Sequence, residues 1–179
     1  IDISKYVRND IFSKFDSFVL CSGTLMINDS FRYFLENVGL SEFNNIETTN
    51  KLYKSPFLYE EQMQIHIYKS KFDINSSQYI EEIADQICSL NNNLKKRIMV
   101  LCTSYKQVNA LGKAIRMRLV DNKNVFLQSS GAKKHRILEN YKHKKDAILI
   151  GTSTFWEGID LAGDLLEILI IFRIPFDNP

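Results

Sequence analysis

The chain has 179 residues, of which 45% are apolar, 25% charged and 12% aromatic, with seven glycines and three prolines. These proportions exclude collagen-like, low-complexity and disordered chains, and they predict a globular core. The 23 basic and 21 acidic residues give a formal net charge of only +2, so local geometry rather than a global positive field would have to hold any polyanion.

The first 63 residues predict short helices and a polar connector. A helix is expected over residues 5–15, followed by a strand over residues 18–21. Apolar residues at i, i+3, i+4 and i+7 from Phe31 predict a second helix with one buried face, and Gly39 is its expected stop. We expect residues 1–27 to be the end of a preceding domain or an edge of the main one, and residues 28–63 to be a helix and connector.

From residue 64 to the end, short apolar runs alternate with helical patterns. Strands are expected at residues 64–68, 98–102, 125–127, 147–150 and 166–172. Helical spacing begins at Ile80 and again at Val108, where Ser104 is a candidate N-cap. Several of the strands are apolar throughout, as is typical of strands covered on both faces. The order predicts an α/β domain over residues 64–179, a doubly wound, mostly parallel sheet with helices on both faces.

The cellular setting is predicted from apolar runs and cysteines. No apolar run approaches the roughly 18 residues that cross a bilayer, and the N-terminal residues lack a signal-peptide pattern. The three cysteines form no C-x-x-C pair, and Cys21 and Cys102 lie in apolar runs that predict buried thiols. These features predict a soluble, cytoplasmic protein without a membrane partner and without a metal site.

Glycines and small hydroxyl residues follow four of the predicted strands. The four segments are Ser22-Gly23-Thr24, Thr103-Ser104-Tyr105, Gln128-Ser129-Ser130-Gly131 and Gly151-Thr152-Ser153-Thr154. Ligands collect at the carboxyl ends of parallel strands, where backbone N–H groups and hydroxyls can hold phosphate oxygens. Any one of these segments is equally explained as an ordinary turn or helix cap, but their recurrence at four strand ends favours a phosphate-binding edge.

A polar loop from Phe155 to Asp164 interrupts the alternation and contains the only tryptophan, Trp156. Long loops at this edge of a sheet usually carry function. Glu157 and Asp160 could accept hydrogen bonds from sugar hydroxyls, while Gly158 would allow close approach of the backbone. The chain lacks the G-x-x-x-x-G-K-[ST] and G-x-G-x-x-G patterns and any evident acid–base pair. No complete catalytic site is therefore predicted.

Three sequence blocks carry a family resemblance. They are FVLCSGTL at 18–25, IMVLCTSYKQV at 98–108 and AILIGTSTFWEGIDLAGDLLEILIIFRIPF at 147–176. In this order they resemble motifs III, IV and V, with the strand after motif V, of the XPD/DinG branch of superfamily-two helicases, and are most similar to bacterial DinG proteins. With residues 128–141, similar to the region between motifs IV and V, they extend along nearly the whole chain. The resemblance implies a RecA-like domain of the P-loop NTPase type, the second of two motor domains.

The resemblance also implies roles for the residues that match these motifs. Ser22, Gly23 and Thr24 would couple nucleotide state to DNA grip at the domain junction. The implied nucleotide contacts are Glu157, Gly158 and Asp160. The implied DNA contacts are Thr103, Ser104, Tyr105, Thr152, Trp156 and, by a looser match, Arg136. Trp156 would either stack on a base or pack its loop onto the sheet.

In this family two RecA-like domains clamp ATP between them and move along single-stranded DNA. The resemblance implies that ATP and Mg²⁺ are bound by the intact protein and not by this segment alone, because the phosphate loop and acidic box belong to the first RecA-like domain. Motif III at residues 1–27 would end that domain or form an edge strand, and motif VI would follow Pro179. The expected function is ATP hydrolysis coupled to translocation on single-stranded DNA. The alternatives are a nucleic-acid-binding helicase-like module attached to an exonuclease domain, without unwinding, or an unrelated α/β nucleotide-binding domain.

Overall fold

The computed structural model describes residues 2–41, 47–120, 122–128, 134–152, 155 and 159–174. The chain forms two compact units, Ile1–Ile65 and His66–Pro179. In the described part of the chain, no helix is both long enough and apolar enough to cross a membrane.

The first unit consists of short helices joined by extended segments. Its elements are α1 (Ser4–Tyr6), a π-helical turn (Val7–Ile11), a 3-10 turn (Phe12–Lys14), α2 (Arg32–Asn37) and α3 (Tyr59–Gln62). The helix expected over residues 5–15 is therefore confirmed as one helical segment with a changing hydrogen-bond pattern. The strand expected over residues 18–21 is wrong, because these residues join no sheet in the described structure and Val19 is 90% exposed.

The end of α2 confirms the predicted role of Gly39 as a stop. Gly39 has φ +77°, a conformation that glycine adopts without steric cost. The Leu40 N–H then donates to the carbonyl of Leu35 at 2.8 Å. A Cβ atom on Gly39 would lie 2.5 Å from the backbone oxygen of Ser4, so the position also requires the absence of a side chain.

A four-stranded parallel sheet organises the second unit. Its strands are β1 (Ile98–Leu101), β2 (Val125–Leu127), β3 (Ile148–Gly151) and β4 (Ile168–Ile171), in the spatial order β2-β3-β1-β4. Every residue of β1 and β3, the two central strands, is buried, which explains their uninterrupted apolar sequences. The strand expected at 64–68 is wrong: these residues join no described sheet, and Ile67 is 93% exposed.

Helices cover both faces of this sheet, as predicted. They are α4 (Ser77–Leu94), α5 (Tyr105–Arg118) and α6 (Lys134–Lys142). The apolar faces of α4 and α5 pack with Ile98, Val100 and Ile150 on one side. On the other side, Tyr141 of α6 packs with the alternate strand residues, among them Met99. The unit is the predicted doubly wound α/β domain.

Serine side chains begin the two long helices. The Ser76 hydroxyl accepts the Tyr79 N–H at 3.1 Å at the start of α4. At the start of α5, the Ser104 hydroxyl accepts the Gln107 N–H at 3.3 Å, which confirms the predicted N-cap. Ser104 follows β1 within three residues, so this cap fixes how the chain turns from the end of β1 into α5.

The connection between β3 and β4 crosses back over the sheet, because parallel strands both start at the amino edge. Ile159, Leu161 and Leu166 pack against the same core as α6. The connection ends in a 3-10 turn, Gly163–Leu165, just before β4. The polar loop that starts at the carboxyl edge is thus held at its far end by apolar contacts on the α6 face.

Candidate nucleotide and nucleic-acid interface

The carboxyl ends of three strands lie side by side at one edge of the sheet. Since β3 is between β2 and β1, Thr152 after β3 is flanked by Gln128 after β2 and by Thr103 beyond the end of β1. Backbone hydrogen bonds continue up to this edge, from Gln128 N–H to the Ile150 oxygen at 2.9 Å and from Cys102 N–H to the Gly151 oxygen at 2.8 Å. The structure therefore brings together three of the four predicted strand-end segments.

The Gln128 carboxamide links these strand ends. Its Oε1 accepts the backbone N–H of Thr152 at 2.6 Å and the Thr152 hydroxyl at 3.1 Å. Its Nε2 donates to the Tyr105 hydroxyl at 3.2 Å. Gln128 and Thr152 are 5% and 4% exposed, and buried polar groups of this kind are stable only when their hydrogen bonds are made. One amide thus ties the ends of β2 and β3 to the start of α5.

A second glutamine holds the residue that follows β1. Gln107 Oε1 accepts both the backbone N–H and the hydroxyl of Thr103, each at 3.0 Å. Thr103 and Tyr105 remain exposed, while Ser104 is half-buried. The predicted DNA-contacting segment 103–105 is therefore a turn at the sheet edge that hydrogen bonds to Gln107 hold against α5.

Phe155 anchors the start of the polar loop. Its ring is buried, its N–H donates to the Thr152 carbonyl at 2.8 Å, and the Lys134 ammonium lies 5.6 Å from the ring centroid. Gly151, the last residue of β3, makes room for it: a Cβ there would lie 2.8 Å from the Phe155 Cδ2 atom. The glycine that ends this strand is therefore required for packing.

Replacing Gly151 with alanine should lower the free energy of unfolding by about 1–2 kcal/mol, because the added methyl forces the buried Phe155 ring to move. Urea unfolding followed by circular dichroism measures this change. Gly23→Ala is the matched control, since a Cβ at Gly23 would meet nothing within 4 Å. Equal stability of the two variants would contradict the packing argument.

The other predicted nucleotide and DNA contacts are only partly described. Trp156, Glu157 and Gly158 lie outside the described residues. Asp160 is exposed and makes no ion pair with a described residue, and Arg136 is exposed on α6. The described residues contain no group of His, Cys, Asp or Glu side chains that could hold a metal ion.

Ser22, Gly23 and Thr24 form a local turn in the first unit. The Ser22 hydroxyl accepts the Thr24 N–H at 3.3 Å and lies 3.3 Å from the Thr24 hydroxyl. All three residues are exposed, and so is Cys21, whose predicted burial is therefore wrong. The physical reason is that the run at 18–21 has no sheet to cover it. The predicted burial of Cys102 is confirmed.

Sequence reasoning assigned no role to the two glutamines. Gln128 is the first residue of a predicted strand-end segment, whose serines and glycine suggested phosphate binding, and Gln107 lies within the block IMVLCTSYKQV. The available signal was an amide directly after an apolar strand. An amide side chain offers a donor and an acceptor at once, which is what a junction of several strand ends requires.

A parallel sheet covered on both faces, with hydrogen-bonding groups gathered at its carboxyl edge, makes this unit a doubly wound α/β domain, an architecture consistent with a RecA-like domain. Residues 87–179 match the family model described as "Helicase C-terminal domain". This match spans just over half of the chain, and the chain belongs to this family.

Curated relatives cover nearly all of the chain. It is 30% identical to the "3'-5' exonuclease DinG" of Bacillus subtilis (strain 168), across 100% of this chain and 19% of the relative. It is 31% identical to the "ATP-dependent DNA helicase DinG" of Photobacterium profundum (94% and 25%). It is 28% identical to the "ATP-dependent DNA helicase YoaA" of Escherichia coli (91% and 24%). The chain spans about a fifth to a quarter of the length of these relatives.

Proposed function

We propose that the chain is the C-terminal motor half of a DinG-like, ATP-dependent DNA helicase, in which ATP hydrolysis drives translocation on single-stranded DNA in the bacterial cytoplasm. The observation that carries the proposal is the carboxyl edge at which Gln128 joins Thr152 and Tyr105, in a chain of the helicase C-terminal family. Two of the relatives above are named ATP-dependent DNA helicases.

On the nucleotide side, Asp160 and Gly158 face the sugar of ATP and Glu157 supports their loop. Asp160 is exposed, so its carboxylate is accessible to a ligand. The phosphate loop and the Mg²⁺-binding carboxylates come from the first RecA-like domain, and the chain alone binds neither ATP nor Mg²⁺. Residues 1–27 belong to the end of that first domain, residues 28–63 connect, and residues 64–179 are the second RecA-like domain. Ser22, Gly23 and Thr24 couple the two.

On the DNA side, the backbone of a single strand passes over the turn of Thr103, Ser104 and Tyr105. Exposure supports this position for Thr103 and Tyr105. Thr152 is buried behind this turn, where its hydroxyl donates to Gln128. Its carbonyl accepts the Phe155 N–H, and Thr152 therefore holds the start of the loop that contains Trp156. Arg136, exposed on α6, supplies positive charge, and Trp156 stacks on a base.

Replacing Asp160 with asparagine in the complete protein should raise the KM for ATP in DNA-stimulated hydrolysis about tenfold, because the hydrogen bond that a sugar hydroxyl donates to the charged carboxylate is weakened. Steady-state ATP hydrolysis, with and without oligothymidylate, measures it. Glu60→Gln removes an equally exposed carboxylate on α3 and should leave the KM unchanged.

Two results would contradict the proposal in different ways. An unchanged KM in folded Asp160→Asn protein removes the nucleotide role of this loop. Wild-type protein that binds DNA but never hydrolyses ATP would instead favour the alternative function, a nucleic-acid-binding module beside an exonuclease domain. The Bacillus subtilis relative is named an exonuclease.

A further inference from the structure

We infer that Gln128 is a positioning residue that turns the Tyr105 hydroxyl into an outward hydrogen-bond donor for a backbone phosphate of the bound strand. The inference rests on the proposed function and adds to it a donor atom, a ligand group and a residue that sets the direction of the contact. It follows from the orientation of three hydrogen bonds at the carboxyl edge of the sheet.

The orientation of the Gln128 amide is fixed by a backbone group. The Thr152 N–H can only donate, so the Gln128 atom 2.6 Å from it must be the carbonyl oxygen Oε1. The amide nitrogen Nε2 therefore faces Tyr105, and the 3.2 Å contact has Nε2 as donor and the phenol oxygen as acceptor. Burial of Gln128, at 5% exposure, keeps water from competing for these positions.

An accepted hydrogen bond leaves the proton of the Tyr105 hydroxyl available to another group. Tyr105 is 40% exposed, and no described residue accepts this proton. Hydrogen bonds in a chain polarise one another, so donation from Thr152 through Gln128 strengthens the phenol as a donor. An exposed hydroxyl that donates a hydrogen bond fits an anionic oxygen, which only accepts, and this is the chemistry of a phosphodiester.

The threonine hydroxyls beside Tyr105 point the other way. Thr103 donates its hydroxyl proton to Gln107 Oε1, and Thr152 donates its proton to Gln128 Oε1. Both hydroxyls present only lone pairs to a ligand, and lone pairs repel phosphate oxygens. Among the hydroxyls of Thr103, Tyr105 and Thr152, the phenol of Tyr105 is therefore the one whose proton is left for an acceptor outside these hydrogen bonds.

The test is binding of labelled oligothymidylate to the complete protein, measured at several salt concentrations. Tyr105→Phe keeps the ring and removes the donor, and should weaken binding about tenfold. Gln128→Glu keeps the acceptor for Thr152 but has no N–H, so the phenol of Tyr105 must donate its proton to the carboxylate. This variant should therefore weaken binding to the same extent as Tyr105→Phe. Adding Gln128→Glu to Tyr105→Phe should cause no further loss. Because a neutral hydroxyl releases no counterion, the salt dependence of binding by Tyr105→Phe should stay that of wild type.

Controls separate this role from a purely structural one. Asn109→Ala, an exposed change on the same helix, should bind like wild type, and the thermal midpoints of all variants show whether they fold. An oligothymidylate with neutral methylphosphonate linkages keeps a phosphoryl oxygen as acceptor but loses the charge, so the difference in affinity between wild type and Tyr105→Phe should shrink. An undiminished difference would mean that the hydroxyl contacts a base and would overturn the inference.

The remaining outcomes distinguish the inference from the function on which it rests. Equal affinity of wild type and Tyr105→Phe overturns the inference alone. So does a further loss on adding Gln128→Glu to Tyr105→Phe, because that loss would come from charge repulsion rather than from the phenol. Absence of salt-sensitive DNA binding by the wild-type protein overturns the proposed function and the inference together.

Discussion

Replacing Arg97 with methionine should lower the free energy of unfolding by about 3 kcal/mol, because one buried guanidinium holds three backbone carbonyls together. Its Nε donates to the Lys144 oxygen at 2.7 Å, and Nη2 donates to the Lys142 oxygen at 3.2 Å. Nη1 donates to the backbone oxygen of Asp164 at 2.8 Å and to its carboxylate at 3.0 Å. Methionine replaces most of the volume but none of the donors.

The location of Arg97 explains why the whole second unit should respond. The residue immediately precedes β1, and its own carbonyl accepts the Ile168 N–H of β4 at 3.1 Å. Its side chain joins the turn after α6 to the 3-10 turn before β4. The arginine thereby ties the segment that leads into β3 to the segment that leads into β4, on the amino edge of the sheet and opposite the proposed ligand edge.

Two further variants separate the buried hydrogen bonds from the ion pair. Asp164→Asn should change stability by less than about 1 kcal/mol, because the Asp164 side chain is 80% exposed and surface ion pairs contribute little. Arg97→Lys should recover only part of the loss, since an ammonium cannot reach the carbonyls with the fork of a guanidinium. Urea unfolding of the chain gives the change in the free energy of unfolding for all three variants. If Arg97→Met were as stable as wild type, the Arg97 hydrogen bonds would not stabilise the second unit.

The parts of the fold that sequence predicted well are those whose signals are local or doubly buried. The strand at residues 125–127 is observed with the predicted bounds, and Ser104 caps α5 as expected. The apolar runs at 18–21 and 64–68 also look like strands, but β structure needs a partner strand. Whether a partner is adjacent depends on distant parts of the chain, and the described structure offers none to these runs.

The candidate site shows the same division. Predicting a parallel sheet was enough to place Thr103 and Thr152 at a common edge. The hydrogen bonds between Tyr105, Gln128 and Thr152 depend in addition on β3 being between β2 and β1. The order of the strands along the chain does not specify their order in the sheet. The orientation of the Gln128 amide could therefore be derived only from the observed positions of Thr152 and Tyr105.

Raising the pH above about 9 should destabilise the wild-type chain relative to Cys102→Ala. The Cys102 side chain is fully buried directly after β1, and burial raises the pKa of its thiol to about 12. In the unfolded chain a thiol has a pKa of about 8.5. Between these two values the unfolded chain loses a proton that the folded chain keeps, so the stability contributed by the neutral thiol is complete below pH 8.5 and falls as the pH rises towards 12.

The expected size of this effect is large enough to measure. A single thiol with these pKa values reduces the free energy of unfolding by about 2 kcal/mol between pH 8.5 and pH 10.5. Urea unfolding at several pH values in this range, for wild type and Cys102→Ala, isolates the contribution, because the lysines and tyrosines that also titrate are common to both proteins. Cys21→Ala removes an exposed thiol and should keep the wild-type pH dependence. Parallel profiles for wild type and Cys102→Ala would mean that the thiol after β1 reaches water in the folded protein.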